Sequence, residues 1–211
     1  RAYGSLQLDG IGNVYATGFF TNGGLFGGTY LNDSAGVENL YLVKLNTSTG
    51  AMEWAQTAYG CIEAFDITFA PNHDPILTGM HQWSTTKYFG NHTIQGQGGW
   101  DGFAARIGAT NKTWMWATNA GASGYEGFGG GQVINGQLVA TGRMGSSITL
   151  GSTSLTSNGG TDWMVAGINI TDGSYLWADS IGGSGNEFNI GREPVIPDGN
   201  GGAFLLGWST G

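Results

Sequence analysis

Residues 43–55, VKLNTSTGAMEWA, return as ARIGATNKTWMWA at 105–117 and as AGINITDGSYLWA at 166–178. Trp54, Trp116 and Trp177 are therefore equivalent positions, 62 and 61 residues apart. A chain built from copies of one unit has few folds open to it. Each copy must be a supersecondary element that buries its apolar face against the next copy. Other landmarks keep the same step: Thr17-Gly18, Thr78-Gly79 and Thr141-Gly142, with Leu206-Gly207 as a degraded fourth. Gly27, Gly90 and Gly151 match, as do Gly60, Gly121 and Gly182, and the acids Glu38, Asp101 and Asp162 are read as a further set. The whole chain, 1–211, reads as one domain of three repeats, at about 1–60, 61–121 and 122–182, plus a partial fourth at 183–211.

The unit is made of strands. Glycine is 41 of 211 residues, well above the roughly 7% of an average protein, and no Gly-X-Y period or long helical periodicity accompanies it. In the second copy, residues 65–69, 76–81, 85–89, 101–107 and 113–118 are short β-prone runs. They are separated by turn and loop residues at 71–75, 96–99 and 109–112. Four or five short antiparallel strands in each copy predict an all-β chain with the radial blade logic of a β-propeller. A stacked β-solenoid is the competing geometry. Residues 5–20 align with 65–81, 129–144 and 190–208, so the chain holds one more opening hairpin than it has complete repeats.

The run GNVYATG at 12–18, the Phe-Gly pairs, the acid before FAARI or WMVAGI, and TDGSYLWA at 171–178 together resemble the bacterial-type β-propeller repeat of secreted and surface proteins, the SBBP repeat. The similarity spans essentially the whole chain. It implies an extracellular or surface setting and no single activity. NTSTGAMEW and NITDGSYLW are also similar to the docking motif of quinoprotein propeller blades. That resemblance implies a turn at Gly50 or Gly173 and a tryptophan, Trp54 or Trp177, packing on the neighbouring blade. No quinone cofactor is expected, since the calcium-binding acid cluster and ring-stacking residues it needs are not found.

Composition excludes several classes of function. Seven basic against fifteen acidic side chains leave a net charge of −8 with no basic cluster, which argues against a nucleic-acid partner. No apolar run approaches the length of a membrane-spanning helix. The chain opens on Arg1 with no signal-peptide pattern and reads as a processed form or a piece of something longer. Its lone cysteine, Cys61, has Ala122 and Gly183 as equivalents and reads as a small buried hydrophobe, with a bond to another chain as the sharper alternative.

Candidate sites are few. Asn-X-Ser/Thr occurs at Asn32, Asn46, Asn91, Asn111 and Asn169. Asn46, Asn111 and Asn169 precede the repeated tryptophans, so one hairpin in every copy carries a glycosylation acceptor. Asp9 with Asn13, Asn72 with Asp74, and Asp198 with Asn200 offer oxygens in equivalent turns. Calcium is the one metal such turns could hold, yet each supplies about two of the six to eight ligands it needs, and turn chemistry is the preferred reading. His73, His81 and His92 fit no zinc spacing and read as solvated loop histidines; no G-x-S-x-G elbow is present. Glu63, Glu126 and Glu187 open the repeats and are expected to bond backbone amides at junctions. No catalytic, cofactor or metal residue is assigned.

Trp54, Trp116 and Trp177 are expected to be structural anchors. Trp83, Trp100 and Trp208 lie outside that position and could stack on sugars or form protein contacts. Phe204, Leu205, Leu206 and Trp208 on the surplus hairpin are the candidate residues for assembly with another open edge. The expectation is a non-enzymatic, extracellular or cell-surface structural module that binds copies of itself or adjacent repeats. A carbohydrate-binding propeller and a part of a larger secreted enzyme are the alternatives.

Overall fold

A computed structural model describes residues 4–33, 36–60, 62–188, 195–206 and 208–210. The first copy forms β1 (Leu6–Leu8), β2 (Asn13–Phe20), a small hairpin of β3 (Gly24–Phe26) and β4 (Thr29–Leu31), then β5 (Asn39–Asn46) and β6 (Met52–Ala58). The second forms β7 (Ile62–Phe69), β8 (Pro75–Gln82), β9 (Thr86–Phe89), β10 (His92–Gln95), β11 (Trp100–Ile107) and β12 (Trp114–Ala120). The third repeats the order as β13 (Gly127–Ile134), β14 (Gln137–Met144), β15 (Ile148–Leu150), β16 (Thr153–Leu155), β17 (Asp162–Asn169) and β18 (Tyr175–Ile181). Four short strands follow: β19 (Asn186–Phe188), β20 (Val195–Pro197), β21 (Ala203–Leu205) and β22 (Trp208–Thr210). The described residues contain no helix.

Each copy is one four-stranded antiparallel sheet: β1-β2-β5-β6, β7-β8-β11-β12 and β13-β14-β17-β18. A two-stranded hairpin is inserted between the second and third strands of each. Among the described residues the fourth copy shows an opening hairpin, with β19 paired to β22 and β20 to β21.

The registers identify equivalent residues more sharply than spacing does. Thr17 faces Leu42, Thr78 faces Ala104 and Thr141 faces Val165. Three residues back along the third strand lie Asn39, Asp101 and Asp162. The acid set read from sequence is therefore one position out in the first copy: Asn39, not Glu38, is the partner of Asp101 and Asp162. Asn39 is fully buried and takes the Gly60 amide on Oδ1 at 3.2 Å.

The repeated Thr-Gly pair has a steric cause. The opening strand carries a bulge at Ala64/Asp66 in the second copy and at Phe128/Gly130 in the third. The bulge presses a carbonyl onto the glycine: a Cβ on Gly79 would lie 2.1 Å from the Glu63 oxygen, and one on Gly142 1.9 Å from the Gly127 oxygen. A second bulge recurs in all three sheets, at Lys44/Leu45, Arg106/Ile107 and Gly167/Ile168. It leaves Glu53, Met115 and Leu176 as the extra residues just before each repeated tryptophan, and such a bulge re-aims the side chain that follows.

The sheets pack face on. Tyr15, Leu40, Leu42 and Trp54 of the first meet Ile67, Leu77, Phe103 and Trp114 of the second in one buried cluster. The other face of the second sheet, through Ile76, Ala104 and Trp116, meets Phe128, Leu138, Met164 and Ile168 of the third. The middle sheet is thus buried on both sides, so β11 carries apolar residues on both faces, Phe103 and Ala105 on one and Ala104 on the other. A smaller cluster joins Ile134, Val139 and Val165 of the third sheet to Val195 and Leu205 of the last hairpin. Cys61 lies outside the described residues, as does the side chain of Trp208.

Candidate functional site: the sheet junctions

The repeated tryptophans divide into two kinds. Trp54 is 5% exposed and its indole N–H donates to the Ala109 carbonyl at 3.2 Å. Trp116 is 3% exposed and donates to the Ile170 carbonyl at 2.9 Å. Ala109 and Ile170 are equivalent residues of the turns between the third and fourth strands. Each tryptophan therefore seats on the turn of the next sheet.

A return bond accompanies each of these. Trp114 donates to the Thr57 carbonyl at 3.1 Å, and the Tyr175 hydroxyl donates to the Asn119 carbonyl at 2.8 Å. Trp114 and Tyr175 are equivalent, and Thr57 and Asn119 each lie three residues past the repeated tryptophan. Two reciprocal hydrogen bonds around a buried indole define the junction, and it occurs twice. The turn beneath the ring must turn left-handed at one point, as Lys112 does at φ 60° and Gly173 at φ 77°. At Gly173 a Cβ would lie 2.7 Å from Trp116 Cε3, so glycine is required there on both counts.

Among the described residues no such turn lies over Trp177. It is 38% exposed, and its indole donates to Gln137 Oε1 of its own sheet at 2.9 Å. It lines an open cleft of about 250 Å³ together with Gln137, Val139, Val165, Gly202 and Leu205. The expectation that all three tryptophans are alike thus holds in sequence and not in environment.

The surplus hairpin does not stand as a lone strand. β21 pairs with β20 from Val195↔Leu205 to Pro197↔Ala203. Leu205 packs on the third sheet, whereas Phe204 and Leu206 are 63% and 57% exposed. In the three complete sheets the second strand also carries the third on its other edge. Among the described residues no strand occupies that edge of β21.

All five asparagines of the Asn-X-Ser/Thr triplets lie at strand ends or in turns. Asn32, Asn91 and Asn111 are exposed; Asn46 and Asn169 are half-buried. Asn46 accepts the Ser48 amide, Asn111 the Thr113 amide and Asn169 the Thr171 amide, the local turn bonding for which asparagine is favoured. Asn46, Asn111 and Asn169 occupy corresponding turns, and the Asn111 and Asn169 turns receive Trp54 and Trp116.

The acidic turns are occupied by the chain's own donors. Asp9 Oδ1 accepts the Ile11 and Asn13 amides and Asp198 Oδ1 those of Asn200 and Gly202, an identical arrangement. Asp74 accepts Arg106 Nη2 at 2.8 Å and the Ala109 amide at 2.8 Å. Burial opposes ionisation of Asp74, but the Ala109 amide and then Arg106 and Asn72 outweigh it and hold its carboxyl below the usual range. Among the described residues no three His, Cys, Asp or Glu side chains cluster as a metal site would. Glu126 and Glu187 do bond backbone amides, of Ala122 and Gly183. Burial pushes the Glu126 carboxyl up despite its bonds to Ser146 and Ala122.

The histidines are not all solvated. His81 is fully buried on β8, its Nε2 2.7 Å from Asn119 Oδ1, while His73 Nδ1 lies 2.9 Å from the Asp9 carbonyl. Burial holds the His81 imidazole down at about 4, against the Asn119 bond. Lys87 is also fully buried and donates to the Gln82 carbonyl, the Thr85 hydroxyl and the Trp83 carbonyl at 2.6, 2.6 and 3.2 Å. This ammonium pins a loop in which Trp83 is left-handed at φ 68° and 48% exposed. Nearby on the same surface, Trp100 stacks at 6.0 Å on Tyr125, and Arg143 lies 4.2 Å from the Tyr125 ring centre. Sequence reading missed Lys87, the Arg106–Asp74 pair and the return bonds of Trp114 and Tyr175. The aromatic residue five positions after Ala109 and Ile170 was the available signal for the last. Compared with known protein families and with curated proteins, the chain matches none.

Proposed function

We propose that the chain is a non-enzymatic structural module, a β-propeller-type array of blades that works outside the cell by associating through its open sheets. One observation carries this reading: among the described residues the Trp–turn junction is made at Trp54 and Trp116 and not at Trp177. Apolar side chains exposed at both ends of the array support it, Leu6, Leu8 and Leu25 on the first copy and Ile196, Phe204 and Leu206 on the last hairpin. Proteins seldom leave such surface uncovered unless it binds something. Glycans on the equivalent turns at Asn46, Asn111 and Asn169 would coat one side of the array and direct contacts to the other. Sedimentation across a hundredfold dilution, with electron microscopy of the particles, tests it. Rings or fibres that grow with concentration are expected, and a chain that stays monomeric throughout would refute it.

A second reading, binding of carbohydrate, is favoured by Trp83. A bulky residue held left-handed and exposed is uncommon, and such strain is found where surroundings enforce it for use. An indole fixed in this way is a preformed stacking surface for a sugar ring. Glycan-array binding that disappears in Trp83→Ala while the melting temperature holds would support it; identical binding by the two proteins would exclude it.

A further inference from the structure

We infer that Trp177 and the open edge of β21 form a single receptor for a further antiparallel β-hairpin, and that the hairpin it takes carries an aromatic N–H or O–H donor five residues after its turn carbonyl. The inference rests on reading the chain as an open array of blade-like sheets. Three features specify the occupant.

First, the edge. β2, β8 and β14 each hydrogen-bond two neighbours, and the second neighbour is always the third strand of the sheet, the first strand of a hairpin: β5, β11 or β17. β21 is the corresponding strand of the fourth copy and, among the described residues, has the first neighbour only, so this edge calls for an antiparallel strand. Second, the indole. At both complete junctions the ring covers a left-handed turn residue and its N–H reaches a turn carbonyl. Trp177 offers the same ring above the cleft beside β21, with its N–H on the Gln137 side chain, a partner that can rotate away. Third, the return bond. Thr57 and Asn119 accept from the incoming hairpin, and the equivalent acceptor past Trp177 is the carbonyl of Ser180.

The third feature discriminates among hairpins. The β11–β12 and β17–β18 hairpins supply Trp114 and Tyr175 at the donor position. The first copy has Met52 there, which donates nothing. A hairpin of the β5–β6 kind, and so a second copy docking through its first sheet, fits the receptor less well than one of the β17–β18 kind.

The test adds such a hairpin to the intact chain. Residues 160–182 are appended after residue 211 through a flexible Gly/Ser linker, which gives a local concentration in the millimolar range. Two readouts follow: oxidative labelling of Trp177 by hydroxyl radicals, resolved by mass spectrometry, and hydrogen exchange of the 203–205 amides. Both should slow at least fivefold relative to the unmodified chain. The appended copy carrying Val at the Gly173 position, which cannot sit beneath the indole, should give no protection, and Trp177→Ala in the host should remove the protection of β21. A free peptide of the same sequence, titrated into the unmodified chain, checks the result without a tether.

If neither the tethered nor the free hairpin protects Trp177 and β21, the inference is wrong. It is also overturned if the unmodified chain protects Trp177 in proportion to its own concentration and Tyr175→Phe leaves that protection unchanged, since the hairpin received then needs no aromatic donor. Self-assembly failing in sedimentation would defeat the proposed function but leave this outcome readable, because the fusion is scored as a monomer.

Discussion

Trp116→Ala and Trp177→Ala form a matched pair, because the two residues are equivalent in the repeat and differ only in what lies over them. Trp116 is 3% exposed, donates to Ile170 and covers Gly173. Removing a buried ring of this size costs about 3–5 kcal/mol through lost transfer energy and the cavity left behind. About 1 kcal/mol of that is the indole–carbonyl hydrogen bond; the Ile170 carbonyl keeps its bond from Arg106 when the indole is gone. Trp177 is 38% exposed and bonds only a side chain of its own sheet. Its replacement removes a ring that water already reaches, and the cost should stay below about 2 kcal/mol. At 2–4 °C per kcal/mol for a chain of this size, Trp116→Ala should melt roughly 6–20 °C lower than wild type. Urea unfolding followed by circular dichroism, with the slopes compared so that changes in cooperativity are seen, measures both variants. Equal midpoint shifts for the two would refute the idea that burial at a neighbouring turn sets the value of this tryptophan, and an unshifted Trp116→Ala would remove the anchor role altogether.

His81 gives a pH signature. Its folded value of about 4 lies below the unfolded 6.5, so the native state binds fewer protons in between and stability falls as the pH drops through that window. Against His81→Met, which copies the buried Met144 at the equivalent site, wild type should lose about 3 kcal/mol between pH 7 and pH 4; parallel pH profiles of the urea midpoints would contradict this. Lys87→Met strands two carbonyls and a hydroxyl that the ammonium now satisfies, and is expected to cost about 2–4 kcal/mol by the same urea titration, whereas an unchanged midpoint would mean that water replaces the ammonium. Gly142→Ala should unfold the third sheet or cost more than about 3 kcal/mol, since its Cβ falls on the Gly127 oxygen, while Gly136→Ala, left-handed at φ 77° with open space around it, should cost only about 1 kcal/mol. Comparable losses in the two variants would show that backbone conformation, not the bulge contact, fixes the Thr-Gly pair.

The repeat made the sheets legible. Strands, turns and the equivalence of the three tryptophans follow from a period that recurs without long gaps, and the middle copy's runs at 65–69 and 76–81 fall within β7 and β8. The acid set slipped by one because residues were matched on charge, although Asn39, Asp101 and Asp162 each stand 15 residues before the repeated tryptophan. Asn39 looked unremarkable beside Glu38, yet the pairing of β2 with β5 puts Asn39 in the fully buried place of Asp101. His81 was misjudged for a related reason. It closes the β-prone run 76–81, but β8 is an inner strand of a sheet covered on both faces, and that sandwiching is a long-range fact. Trp177 differs from Trp54 and Trp116 in its surroundings, because equivalence in sequence says nothing about what lies against the side chain.

The residues that break the repeat concentrate in the middle copy, and the packing suggests why. His81 stands where the first and third copies have Phe20 and Met144, Lys87 where the third has the buried Ile148, and Arg106 where they have Lys44 and Gly167. A sheet covered on both faces has little solvent to accept a stray polar atom, so most polar atoms there have partners built in, although His81 Nδ1, Asp101 Oδ1 and Arg106 Nε are buried without one among the described residues. Arg106 has the Ile170 carbonyl, Asn72 and Asp74, and Lys87 has three acceptors within its own hairpin loop. Arg106 and Trp116 reach the same carbonyl from one sheet, so the second junction is held by charge as well as by an indole. Apolar faces of similar copies could pair in several orders; a guanidinium that must find Ile170 of the following copy and Asp74 of its own penalises the wrong ones, because a misplaced Arg106 would be a buried charge without a partner.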